Sequence, residues 1–195
     1  MAAAVAAEQE APRESSAIVP VRGLWVVGAA LAFTVVVIAG NWTWGLDFLH
    51  VVGGGMWTAV DLFMGFVIGP IMRSLSIPAR IELTKRLMPK MLLIMPTLVT
   101  MTLGAGFQLA LANGMLDTSY GRHGWVVASM VVVAVMAMIA LALLQPANIA
   151  VLFELRKPQP NPAIVQLLMR RFVYAAGITG AMQVATLIIM TRLAS

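Results

Sequence analysis

The sequence predicts an all-α fold: an integral membrane bundle of five transmembrane helices, N-terminus inside and C-terminus outside. Three observations predict it. Of 195 residues, 61% are hydrophobic and 11% charged, and the mean hydropathy is +0.91, a balance outside the range of soluble domains. Five apolar runs are each long enough for a span of about 20 residues. The basic residues are gathered at the ends of those runs rather than spread over a surface. The formal charge of +5 and pI near 10.5 therefore read as topology signals and not as a nucleic-acid footprint. There is no cysteine, which removes disulfides, thiolate metal sites and iron–sulfur ligation.

Residues 1–20, with Ala, Glu, Ser, Pro12 and Pro20, read as a disordered cytoplasmic tail, and 21–195 as one bundle domain. The tail is longer and more acidic than the basic start of a cleaved signal peptide, so the first run is retained as a helix. The runs are Gly23–Gly40, Leu46–Met72, Lys90–Asn113, His123–Phe153 with an interruption at Pro146, and Phe172–Arg192. Backbone groups in lipid must bond within their own segment, so each run is a helix. Pro70, Pro89, Pro96 and Pro146 mark kinks or helix starts, with Pro89 expected to begin the third helix. Gly65 and Gly69 form a GxxxG pair, and Gly104, Gly106, Gly177, Gly180 and Ala181 offer further faces for close helix approach.

Lys and Arg set the orientation. With the N-terminus inside, Arg13, Arg22, Arg73, Arg80, Lys85, Arg86, Lys90, Arg156, Lys157, Arg170 and Arg171 lie inside, 11 of the 13 basic residues, and only Arg122 and Arg192 lie outside. Both histidines, His50 and His123, then fall at the outer face. Asp61 falls near mid-membrane. The membrane is expected to be a bacterial or archaeal cell (inner) membrane.

The second run carries the chemistry. At 100° per residue, Trp57 and Asp61 lie about 20° to either side of the His50 direction, and with Gly54, about 40° off it, they form one stripe about 16 Å long. Gly53 flanks the same line. Ionisable groups within a membrane face the bundle interior and are functional candidates. His50 is a candidate metal ligand, since neutral imidazole binds haem iron or copper, and the glycines beside it remove side chains where a flat porphyrin would press. The alternative is a histidine near the headgroups bonded to a neighbouring helix. His123 is a candidate second axial ligand or an ordinary residue of the polar outer loop. Asp61 and Lys90 are the candidate intramembrane charges. Asp61 either pairs with Lys90 or Arg73, stays protonated and hydrogen-bonded, or takes part in proton or cation movement. Lys90 can equally extend its stem to the inner surface.

The fifteen methionines raise copper(I), which thioethers suit. Met88, Met91 and Met95 lie away from both histidines, however, and Met130, Met136 and Met138 read as packing. Trp25, Trp42, Trp44 and Trp125 fall near the expected interfaces, as belt tryptophans do. No nucleophile–base set, phosphate loop or multi-carboxylate site is visible, which argues against hydrolysis and phosphoryl transfer but not against cofactor-based redox chemistry.

Leu49, His50, Met56, Trp57, Ala59 and Phe63, together with Lys85-Arg86-Leu87 leading to Met95-Pro96, resemble a superfamily of small helical membrane proteins. It includes the copper-resistance D family and the HemJ-type protoporphyrinogen oxidases. The resemblance covers the second and third helices, roughly a third of the chain. It implies a bundle of four or more helices and a haem-ligand role for His50. The HemJ type carries a lysine four residues after a tryptophan at a later helix start; here Trp125 is followed at that distance by Ser129.

The leading expectation is thus a b-type haem protein of electron-transfer or redox function, with His50, Gly53, Gly54, Trp57 and His123 around the cofactor. A copper or small-solute permease using Asp61 is the first alternative, with copper the alternative metal. A structural subunit of a larger membrane complex is the second. The expected partners are the lipid bilayer, a redox partner or complex subunits, and further copies of the chain, with no nucleic acid.

Overall fold

The computed structural model describes residues 21–194; the tail expected over 1–20 lies outside the described residues. Every regular element among the described residues is helical. Helix α1 is Val21–Ala39, α2 Thr43–Leu62, α3 Gly69–Ser74, α4 Ile77–Ala112, α5 His123–Ile139, α6 Gln145–Leu155 and α7 Pro162–Ala194. A π turn over Phe63–Ile68 joins α2 to α3, and another over Ala140–Leu144 joins α5 to α6. The result is four rods long and apolar enough to cross a membrane, Thr43–Ser74, Ile77–Ala112, His123–Leu155 and Pro162–Leu193, with a shorter apolar helix beside them.

The π turns have a local cause. Each precedes a proline by two residues, Pro70 after Ile68 and Pro146 after Leu144. A proline ring crowds the carbonyl four residues back and leaves it without a donor. Widening the turn before the ring relieves the clash without breaking the rod. Pro89 and Pro96 lie inside α4, which runs on through both, so the expected helix start at Pro89 is wrong. The charged stretch before it is built from strong helix formers, Glu82, Leu83, Lys85, Arg86 and Leu87, and continues the helix back to Ile77. The same correction applies to α7, which begins ten residues before the apolar run, at Pro162. Hydropathy finds where a helix is apolar, not where it ends. At 36 residues, α4 is about 54 Å long, well beyond a hydrocarbon core of about 30 Å.

A tight turn, Gly40–Trp42, folds α1 back onto α2. Asn41 there has φ +46°, a left-handed conformation that asparagine accepts more readily than most residues. Its Oδ1 accepts from Gln108 Nε2 at 3.1 Å, which ties the turn to α4. Three buried clusters are stacked along the bundle. Val37, Leu46, Leu49, Ala105 and Leu109 join α1, α2 and α4 at the end near that turn. Trp57, Leu98 and Met136 form a middle cluster. Met64, Met72, Met88, Met91, Met169 and Phe172 belong to the largest, toward the other end. Met88, Met91 and Met136 are thus core packing, as their unbranched side chains suit. The outer faces carry Trp25, Val26, Leu141 and Ile188, each at least 60% exposed, and this apolar exterior is that of a membrane-embedded bundle.

Glycines set the crossing of the second rod with α7. A Cβ on Gly65 would lie 2.7 Å from Gly177 Cα, and one on Gly69 2.6 Å from Val173 Cγ1. The GxxxG pair is therefore an intramolecular packing face. One turn on, a Cβ on Gly180 would lie 3.2 Å from the Leu62 nitrogen and 3.4 Å from the Asp61 carbonyl carbon. That glycine brings α7 against the backbone at Asp61.

Candidate functional site

Asp61 is 1% exposed and sits at the end of α2, next to the first π turn. Three groups converge on its Oδ2. Trp57 Nε1–H donates from the preceding turn at 2.9 Å, the Thr179 hydroxyl from α7 at 3.0 Å, and Gln183 Nε2–H from α7 at 3.0 Å. The helical period puts Trp57 and Asp61, four apart, on one face. The same spacing aligns Thr179 with Gln183 across the glycine crossing. The Thr179 hydroxyl is also 3.1 Å from the Ala175 carbonyl and 3.0 Å from that of Ala176. It has one proton to give, so the carboxylate and the two carbonyls of its own helix compete for it.

Among the described residues no cation joins this cluster. Among the described residues, neither Lys90 nor Arg73 forms an ion pair with Asp61. Lys90 is exposed, because α4 turns Met88 and Met91 to the core at that level and leaves Lys90 on the other side. The expected Asp61–Lys90 or Asp61–Arg73 pair is replaced by three neutral donors.

Beside the carboxylate lies a cavity of about 30 Å³, lined by Trp57, Asp61, Met95, Gln145, Asn148 and Thr179 among others. A cavity needs about 10–15 Å³ to hold one water, so this one accepts a single water or an ion of that size. Asn148 is 3% exposed and its Oδ1 has no hydrogen-bond partner; the same is true of Gln183 Oε1, in a residue 4% exposed. Buried acceptors without a donor are rare and costly. Here two stand close to a buried carboxylate. Gln145 and Asn148 follow the second π turn as Asp61 precedes the first. Both irregular turns thus flank the cavity, and π turns are frequent at working sites.

The expected haem face is differently built. His50 is half-buried, and its Nδ1 lies 2.9 Å from the Thr102 carbonyl on α4. A carbonyl only accepts, so Nδ1 carries the proton and Nε2 of the neutral ring keeps its lone pair. The ring lies against Gly106, where a Cβ would overlap it. Against expectation, the space beside Gly53 and Gly54 is filled by Thr102. A Cβ on Gly53 would sit 2.7 Å from Thr102 Oγ1 and one on Gly54 3.3 Å from Thr102 Cγ2. These glycines let α2 pack closely on α4. Trp57 is committed to Asp61. His123 opens α5, half-buried, its Nδ1 without a partner. His50 packs on α4, and α5, which His123 opens, packs on α7. Among the described residues no group of three His, Cys, Asp or Glu side chains could hold a metal.

Thr179, Gln183, Gln145 and Asn148 belong to no motif that the sequence displays. Their signal was present: each is a hydrogen-bonding side chain inside an apolar run, as Asp61 is. Comparison with protein-family models, with curated proteins and with solved structures finds no match for this chain.

Proposed function

We propose that the chain is a permease-like membrane protein that moves a proton, or a cation no larger than a water molecule, past Asp61. The observation that carries the reading is a buried carboxylate in the middle of a spanning rod, held by neutral donors only, beside a water-sized cavity with an unpartnered amide oxygen. Such a carboxylate is expensive in lipid, and intramembrane carboxylates mark ion or proton pathways. A proton or cation arriving at it neutralises the charge, and the Thr179 hydroxyl then has helix carbonyls to turn to. The small cavity restricts the solute. Copper(I) is the weaker candidate, because Met95 is the one thioether lining the cavity and that ion favours several soft ligands.

Five spans with the N-terminus inside complete the proposal, in a bacterial or archaeal cell membrane. The turns around 75–76 and 156–161 lie at the end rich in Arg and Lys; those around 40–42 and 113–122 lie at the other. The test is flux into proteoliposomes under a pH gradient and, separately, a sodium or potassium gradient. Wild type is expected to dissipate one of them, and Asp61→Asn to stop it while the protein stays folded. Absence of flux in every gradient refutes the transport reading.

A second reading keeps His50 as a haem ligand, supported by its Nδ1 hydrogen bond to Thr102, which leaves Nε2 free to ligate, and by the copper-resistance D/HemJ-type resemblance. The purified protein would then show a Soret band that His50→Ala removes. Protein that stays colourless with added haemin refutes it. With neither flux nor colour, co-purification of large partners would point to a structural subunit.

A further inference from the structure

A second cavity lies away from Asp61, in the groove where the rod Thr43–Ser74 and α7 diverge. It has a volume of about 460 Å³, within the range of about 300–1,000 Å³ usual for ligand pockets. Gly65, Gly69 and Gly177 lie along its lining, and Phe66, Ile178 and Ala181 continue it along the apolar part of the rods. At the basic end the character changes. Arg73, Arg80 and Arg170 line the cavity, and no acidic residue does. The nearby carboxylates are engaged elsewhere, Glu82 with Arg86 and Glu154 with Lys157, each at 2.6 Å. Arg80 gives Nε and Nη2 to the carbonyls of Leu75 and Arg73, both at 2.8 Å. That fixes it across the turn between α3 and α4. Arg73 and Arg170 have no carboxylate partner among the described residues.

We propose that this groove binds one anionic phospholipid, its phosphate between Arg73 and Arg170 and an acyl chain along the glycine-lined trough. The argument is complementarity of two kinds in one cavity. Arginine presents a planar fork of donors that suits phosphate oxygens, and an apolar trough continuous with the lipid-facing surface suits a hydrocarbon chain. Basic pockets between spanning helices bind anionic headgroups for this reason. A free anion would have no use for the trough, and a zwitterionic lipid brings a further cation to a site that holds three and no carboxylate to pair with it.

The experiment titrates the full chain in mild detergent with phosphatidylglycerol, phosphatidylcholine or inorganic phosphate, and reads bound lipid by native mass spectrometry and melting temperature in parallel. Phosphatidylglycerol is expected to bind and stabilise more than phosphatidylcholine. Each arginine lost should weaken binding about fivefold, so the double variant Arg73→Gln/Arg170→Gln loses on the order of 25-fold. A second variant, Ala181→Phe, leaves the arginines in place and narrows the apolar end. It should weaken a long-chain phosphatidylglycerol more than a dihexanoyl one. Equal binding of the two headgroups overturns the proposal. So does inorganic phosphate that stabilises as well as the lipid, or a dimer whose formation excludes phosphatidylglycerol from the groove. If the double arginine variant does not fold, the headgroup comparison on wild type and the Ala181→Phe series still decide.

Discussion

At the scale of single residues, Asp61 is a charge whose surroundings were chosen by another helix. Asp61→Asn keeps a polar group that can accept and donate, and is expected to fold and melt like wild type. Asp61→Leu leaves the donors of Trp57, Thr179 and Gln183 facing a hydrocarbon side chain. Interhelical hydrogen bonds in membranes average about 0.6 kcal/mol each, and two of the three, those from Thr179 and Gln183, come from α7, so the loss between helices is on the order of 1 kcal/mol, read as a lower melting temperature in detergent. Unchanged stability would mean that the Thr179 and Gln183 bonds do not hold α2 to α7. Glycine positions give a sharper contrast. Gly53→Val drives a side chain into Thr102 and should separate α2 from α4. Gly55→Ala meets no atom within 4 Å and should be silent. His50, Trp57 and Asp61 were legible as one stripe because the helical period is a local property. Their partners were not, because which helix faces a stripe depends on crossings that no local period encodes.

At the scale of elements, the irregular turns and the glycine crossing decide where the polar groups meet. Deleting one residue from Phe63–Ile68 should restore regular helix and turn everything beyond by about 100° relative to Asp61. Gly69 would leave Val173, and the rod should pack less firmly on α7, seen as faster proteolysis or a lower melting temperature. The crossing also predicts an asymmetry. Gly65→Ala places a methyl 2.7 Å from Gly177 Cα, while a Cβ on Gly177 lies at an ordinary 3.8 Å from Gly65 Cα. The first substitution should destabilise and the second should not, in the same thermal assay. The five apolar runs were readable from hydropathy, and each corresponds to a helix. Their ends were not, because α4 and α7 continue as amphipathic helices through Lys85, Arg86 and Arg170.

At the scale of the whole molecule, the described residues form an antiparallel bundle with opposite characters at its two ends. Reporter fusions in the 156–161 turn should read cytoplasmic, and fusions in 114–122 external. An external signal at 156–161 would invert the proposed orientation and exchange the leaflets facing the Arg73–Arg170 groove and the two histidines. The turn at 75–76 is too short to be a loop over 74–84, and a fusion there would interrupt α4. Arg122 reinforces the opposite end by donating from Nη1 to the Leu193 carbonyl at 2.8 Å, where it satisfies an open carbonyl at the end of α7.

Composition and periodicity alone determined that this chain is a helical membrane bundle, where its apolar segments lie, and that Asp61 is its singular intramembrane carboxylate. Each follows from transfer of a segment into lipid, which depends only on the residues of that segment. Tertiary structure decided what Asp61 touches, that Gly53 and Gly54 serve packing against Thr102, and that two water-scale acceptors stand near the carboxylate. These depend on which helices approach one another and how closely. In lipid that choice rests on shape and hydrogen bonding between helices rather than on hydrophobicity, and it is written across residues as far apart as Asp61 and Gln183.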